Sequence, residues 1–213
     1  MILKWHGHAC FYLELDKLKF VLDPYGGDLG YPNLNITADI VTISHNHFDH
    51  NNHQVVKGNP RVITGPDKVI VNGVTCYGIP TYHDLTQGSQ RGNNIIFVFE
   101  GEGLKIAHCG DLGHPLPIDV VEKLKGLDIL LIPVGGVYTI GPETASQVVK
   151  AVQPKIAIPM HYKTDYLKFN LDPVDNYLKY FDSNKIRYLN RPEISVTSDY
   201  LKNTSGEIWV LSY

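Results

Sequence analysis

Apolar and polar side chains take turns along residues 9–15, ACFYLEL, and the run KFVLD follows after Asp16-Lys17. A period of two puts neighbouring side chains on opposite faces of a strand, so this stretch predicts an antiparallel pair. DIVTIS, residues 39–44, is short and mostly apolar, as in a strand covered on both faces. KVIVNGVTCYGI carries Asn72-Gly73 between two β-rich runs, the strongest short hairpin signal. NNIIFVFEGEGLKIAHCGD, residues 93–111, again reads as strand, Gly-containing turn, strand.

The period then changes. PIDVVEKLKG has helical spacing with Gly126 at its end. DILLIPVGG reads as a buried strand, and GPETASQVVKAVQ as a helix with Pro142 in its first turn. KIAIPM is another buried strand, DPVDNYLKYFDS another helix, and EIWVLSY a closing strand. Strand-rich segments come first and βα units second, with no low-complexity linker or charge run. One layered α/β domain spanning residues 1–213 is the expectation. The longest expected loop is DPYGGDLGYPNLNIT, residues 23–37.

Bulk composition narrows the classes. With 43% hydrophobic and 19% charged residues, the chain has material for a sizeable core. A net charge of -3 argues against nucleic acid as the main partner, because phosphate binding needs a cationic face. Charged residues interrupt the N-terminal stretch, so it lacks the apolar core of a signal peptide, and no run is long enough for a membrane span. Cys10, Cys76 and Cys109 are odd in number and far apart, unlike a disulfide framework. A cytoplasmic protein acting on a small molecule, with a homo-oligomer left open, is the expectation.

The chemistry concentrates in ISHNHFDHNNH, residues 43–53, directly after a predicted strand. Residues two apart on an extended segment point the same way, so His45 and His47 can grip one cation together. Asp49 and His50 follow as the chain turns and can reach a second. Imidazole with carboxylate suits zinc, manganese or iron. His53 reads as a surface residue on a following helix. His83 in PTYHDLTQG and His161 in PMHYKT sit at strand ends, where a rigid core can hold a ligand, although a core or loop histidine is equally compatible with either. Asp111 follows a strand and a glycine, where a carboxylate can bridge two cations or close a turn.

Taken together, the motif His45-Asn46-His47-Phe48-Asp49-His50, then His83, Gly110-Asp111 and His161, resembles the metallo-β-lactamase superfamily. Within it the chain is most similar to the small metal-dependent hydrolases related to ascorbate-6-phosphate lactonase, through WHGHACF, LDPY, TYHD, RGNNIIFVFE, IAHCGDLGH, LIPVGG and PMHY. The resemblance implies a four-layer αββα sandwich, two mixed sheets flanked by helices, with two divalent ions at one edge, zinc first and manganese or iron next. It implies that His45, His47 and His83 hold the first ion, Asp49, His50 and His161 the second, and that Asp111 bridges them. His108 competes with His83 for the third position. Asp49 and Asp111 would be the catalytic carboxylates. Asp23 would orient a ligand imidazole. His8, His108, His114, Tyr138 and Lys163 are candidates for lining the pocket or touching substrate, Lys163 through an anionic group. The implied activity is hydrolysis of an ester-type bond, a lactone first and a phosphodiester second. A di-iron redox centre or a non-catalytic metal protein would be the readings of another class.

Overall fold

A computed structural model describes residues 1–213. Two sheets face each other. The six-stranded sheet runs in the order Glu193–Ser195, Ile2–Trp5, Phe11–Leu15, Leu18–Leu22, Ile40–Thr42, Arg61–Ile63. The eight-stranded sheet runs Ile186–Tyr188, Glu207–Val210, Ile156–Met160, Ile129–Pro133, Leu104–His108, Asn93–Gly101, Val74–Tyr82, Val69–Val71. Each is mixed: antiparallel where hairpins join neighbours, parallel where the chain crosses over. A two-stranded ladder, Ile36–Thr37 with Val56–Lys57, lies apart.

The hairpins form where two-residue turns tolerate left-handed backbone. Asp16-Lys17, Asn72-Gly73 and Glu102-Gly103 have both residues at positive φ, the twist that suits flanking strands. Strand alternation then sorts the side chains. Phe20, Leu22 and Ile40 point between the sheets, into a core shared with Phe97, Phe99 and Ile129. Val21 and Val41 point outward, under a separate cluster with Tyr25, Leu29, Tyr31, Leu167 and Leu171. The outer face of the eight-stranded sheet is covered by helices Ile118–Lys123 and Pro142–Val152, whose Val120, Val121, Val148 and Val149 join the main core.

The outer layer over the six-stranded sheet is thinner. It is built mainly from the loop that follows Asp23 and from residues near Leu167. His53 lies on a single 3-10 turn, His53–Val55, rather than a helix, because the chain passes at once into the short strand Val56–Lys57. The helix expected over residues 172–183 is confined to Asp175–Leu178. Beyond it the hydrogen bonds tighten to i→i+3, Tyr180 N to Tyr177 O and Phe181 N to Leu178 O. Strands Ile2–Trp5 and Glu193–Ser195 escaped the sequence reading; the second is a three-residue edge strand recognised only by its partner. The three cysteines are free and buried, and no helix is long and apolar enough to cross a membrane.

One glycine fixes how the sheets meet. Gly110 has φ +54, and a Cβ there would lie 2.4 Å from Asn94 Oδ1 and 2.5 Å from Ser44 Cβ. Gly110→Ala is therefore expected to destabilise the metal-free protein by roughly 1–3 kcal/mol from the backbone conformation alone, with the clash adding to it. Urea unfolding measures this; an unchanged midpoint would contradict the packing described.

Candidate metal centre

Strands Ile2–Trp5, Leu18–Leu22 and Ile40–Thr42 run in one direction, as do Val74–Tyr82, Leu104–His108, Ile129–Pro133 and Ile156–Met160 in the other sheet. Their carboxyl-terminal ends deliver His8, Asp23, the 45–50 segment, His83, Asp111, Tyr138 and His161 to one edge of the sandwich. Open sheets bind ligands at such ends because the loops there are free to vary over a rigid frame. Three of these residues, His8, Asp23 and His161, sit at φ near +50°, uncommon for residues with a side chain.

His45, His47 and His83 bring one ligand nitrogen each within 4.8 Å of one another. A second group meets the same limit and joins Asp49, His50 and His161 with His8. Asp111 stands between the groups. Its Oδ2 lies 3.3 Å from His83 Nε2, 3.4 Å from His161 Nε2 and 3.8 Å from His45 Nε2, and its Oδ1 lies 3.3 Å from His50 Nε2.

Neighbouring groups orient these side chains. Asp23 is wholly buried; its Oδ2 accepts from His50 Nδ1 at 2.9 Å and its Oδ1 from Ser44 N at 2.8 Å. Ser44 Oγ bonds Asp23 Oδ2 and lies 2.9 Å from His45 Nδ1. Both imidazoles are thereby turned so that Nε2 points into the centre. Asp111 is placed by its backbone N–H, which donates to Asn94 Oδ1, while Asn94 Nδ2 donates to Thr81 Oγ1 and Cys109 O. His8 Nε2 lies 3.1 Å from Asp49 Oδ2; the ionised carboxylate can only accept, so His8 donates. The His8 carbonyl accepts from Trp5 Nε1 and from the His161 backbone N–H.

The inward atoms fit a cation. His45 Nε2, His50 Nε2, His161 Nε2 and Asp111 Oδ1 are buried without a hydrogen-bond partner, a costly state for a polar atom. Two donors each about 2.1 Å from one tetrahedral ion sit roughly 3.4 Å apart, close to the separations around Asp111. Burial works to raise the Asp111 carboxyl, but the His161 and His50 charges overcome it and hold it well below the carboxylate range. Burial likewise opposes Asp49 ionisation and is outweighed by the His8 hydrogen bond and the His50 charge. His50 is shifted the other way: burial lowers it, yet Asp111 and Asp23 carry it well above the usual imidazole value.

Several expected residues stand elsewhere. His108 is buried with both nitrogens occupied: Nε2 donates to Ala9 O at 2.8 Å and Nδ1 accepts from Gly110 N at 3.2 Å. It is a strut between the sheets, and His83 takes the place beside His45 and His47. His114 accepts from Tyr82 N and donates to Pro115 O, outside the cavity. Lys163 does not face the centre, because its Nζ donates to the carbonyls of Leu167 and Phe169. Tyr138 does line the cavity of about 430 Å³ above the metal groups, with Phe48, Arg91 and Phe169. Arg91, Ser44 and Asn94 were missed by sequence reasoning. All three lie inside quoted stretches, Arg91 and Asn94 in RGNNIIFVFE and Ser44 in ISHNHFDHNNH, but none was singled out as a site residue.

The profile of the β-lactamase superfamily domain matches residues 2–161. A crystal structure from Thermotoga maritima, described as a proposed Zn-dependent hydrolase of the metallo-β-lactamase superfamily, is 46% identical, with 99% of this chain and 97% of that one covered and a TM-score of 0.82. The chain belongs to the metallo-β-lactamase superfamily. Among its relatives in that superfamily, a UPF0173 metal-dependent hydrolase of Thermoplasma acidophilum is 32% identical over 186 residues, 75% of this chain and 82% of the relative. Another, of Caldivirga maquilingensis, is 29% identical over 194 residues, 76% and 82% respectively. The αββα sandwich and metal-dependent hydrolysis both follow for this metallo-β-lactamase-fold enzyme.

The histidines set the acid response of the metal-free enzyme. Burial, aided by His161, lowers His8 to about 4; burial, aided by His50, lowers His45 to about 3; burial, aided by Lys4, lowers His6 to about 4. Unfolded histidines take up protons near 6.5. Below that pH the unfolded chain holds more protons at these three positions, so stability falls as pH drops from about 6.5 toward 4. His50 does not offset this, since with its raised folded value it is protonated in both states over that window. The depressed Asp23, Asp49 and Asp111 add their own loss only below about 3.8. Thermal unfolding of chelator-treated protein should give a lower midpoint at pH 4.5 than at pH 7. An equal or higher midpoint at pH 4.5 would contradict the assignment.

Proposed function

We propose that this metal-dependent hydrolase uses two divalent ions, zinc in the first instance, to cleave an ester-type bond, most specifically a lactone or related small anionic metabolite. The observation that carries the reading is the single Asp111 carboxylate shared by both ligand groups, its Oδ2 facing His45, His83 and His161 and its Oδ1 facing His50, under a cavity of small-molecule size. When bound, the ions would supply Lewis acidity that lowers the pKa of water toward neutrality and offsets charge developing on the substrate oxygen.

The residues divide the remaining work. His45, His47 and His83 would hold the first ion, Asp49, His50 and His161 the second, with Asp111 shared. His8 belongs beside the second set as a positioning residue, because its N–H fixes Asp49 Oδ2. The cavity-facing part of the Asp49 carboxylate accepts the proton of the attacking water. Asp23 keeps His50 in the tautomer whose Nε2 faces inward. Phe48 and Phe169 shield the opening from bulk water. Among the ester-type substrates, the lactone rests on the sequence likeness to ascorbate-6-phosphate lactonase, and a cytoplasmic small-molecule role on the same likeness.

Two tests follow. Exhaustive chelation should abolish hydrolysis of a panel of aliphatic and sugar lactones, and zinc should restore it; hydrolysis that survives chelation would refute the metal-dependent step. Asp49→Asn should lower kcat by on the order of 10²–10⁴ while the far-UV circular dichroism is unchanged. A variant that unfolds would mark Asp49 as structural. On the wild type, higher kcat/KM for bis(4-nitrophenyl) phosphate than for every lactone would replace the ester reading with the phosphodiester one.

A further inference from the structure

Arg91 occupies an unusual place in the cavity. It is the sole lysine or arginine among the residues lining it. Of the arginines, only Arg187 pairs with a carboxylate, Glu207. The Arg91 guanidinium instead lies over the Tyr138 ring, 4.8 Å from its centroid. That contact holds the guanidinium over the ring while leaving its N–H donors free, an arrangement that suits an oxyanion.

Both partners are held by local structure. The backbone of Arg91 is clamped by Asp84, whose carboxylate accepts from the N–H groups of Thr86, Gly88, Gln90 and Arg91 at 2.7, 2.9, 3.0 and 2.7 Å, and from Thr86 Oγ1 at 2.9 Å. The loop closes at its base, where His83 N donates to Gly92 O. The proposed metal ligand His83 and the cation Arg91 are thus the two ends of one rigid loop. Tyr138 is presented by a three-residue turn: Tyr138 N donates to Gly136 O at 2.6 Å, with Val137 at φ +61. A β-branched residue in that conformation is rare and strained. Val137 is 63% exposed, so its own burial does not offset the strain. Strain kept in a turn whose product is the placement of one ring points to that ring's use. From Tyr138 an aromatic row continues to Phe169, 6.1 Å between centroids, and on to Phe48, 6.2 Å. Phe48 itself stands between His47 and Asp49 in the metal motif.

We propose that Arg91, laid on Tyr138, binds an oxyanion of the substrate, a carboxylate or a phosphate monoester, while the apolar body lies along Phe169 and Phe48 and presents its ester-type bond to the metal centre. The inference rests on the hydrolase reading for the bond cleaved, but not for the anion bound. Lys163, the cation first expected in this role, is occupied by loop carbonyls.

The test uses metal-loaded protein, checked for metal content in every variant, and three acetate esters of one scaffold: methyl 4-acetoxybenzoate, which is neutral, 4-acetoxybenzoate and 4-acetoxyphenyl phosphate. The wild type should favour one or both anionic esters over the neutral one, and the favoured anion tells carboxylate from phosphate. Arg91→Met should cut the ratio of anionic to neutral kcat/KM by roughly 10- to 100-fold, chiefly through KM, as for loss of a charge-assisted hydrogen bond. Arg91→Lys should restore only part of it. Benzoate and phenyl phosphate binding, followed by calorimetry, should weaken in the same variants. A ratio equal in wild type and Arg91→Met, with both anions bound equally tightly, would overturn the proposal and leave the hydrolase reading standing. Arg91-dependent anion binding in a protein that cleaves none of the esters would uphold the proposal and count against the ester-type reading of the proposed function.

Discussion

A single buried carboxylate organises this enzyme. Asp111 lies within 3.3 to 3.8 Å of four imidazole nitrogens from three segments of the chain. Left to themselves, a carboxylate and so many imidazoles would not be buried together; desolvation alone would oppose it. Cations make the arrangement reasonable, because they satisfy every inward atom at once. The rest of the molecule can be understood as the scaffold that brings these segments to one point and keeps them apart at the right distance.

The sheets do this through strand direction. Strands that end at the metal edge run the same way within each sheet, so ligands distant in sequence arrive as neighbours. Hydrogen bonds then set the fine geometry. Asp23 bonds Ser44 and His50, tying the strand it ends to the segment that supplies most ligands. Asn94 reaches from a neighbouring strand to the Asp111 backbone, and Gly110 gives up its side chain so that Asn94 and Ser44 can meet there. His8 couples the Asp49 and His161 segments, the first through its ring and the second through its carbonyl.

What the sequence disclosed was what the chain does locally. His45, His47, Asp49 and His50 are close in sequence, so their convergence needs only a strand and a turn. Asn72-Gly73 and the Pro142 helix are also local signals, and both elements formed where expected. Strand-end histidines were harder. His83 follows a strand and His108 ends one, and only the hydrogen bonds of Ala9 O and Gly110 N–H to His108 separate a ligand from a strut. Lys163 and Arg91 illustrate the same limit: which cation is free depends on whether loop carbonyls 4 to 6 residues away capture it. The Asp84 clamp was illegible because one side chain bonds four backbone groups, a pattern no residue type announces.

Two ions sharing Asp111 is the arrangement on which the proposed chemistry depends. Elemental analysis of gently purified protein, alongside its Asp111→Asn variant, tests this most directly. Two ions per chain in the wild type, reduced in the variant, is the predicted result. A single ion per chain after reconstitution with excess zinc, or equal metal content in both proteins, would contradict it.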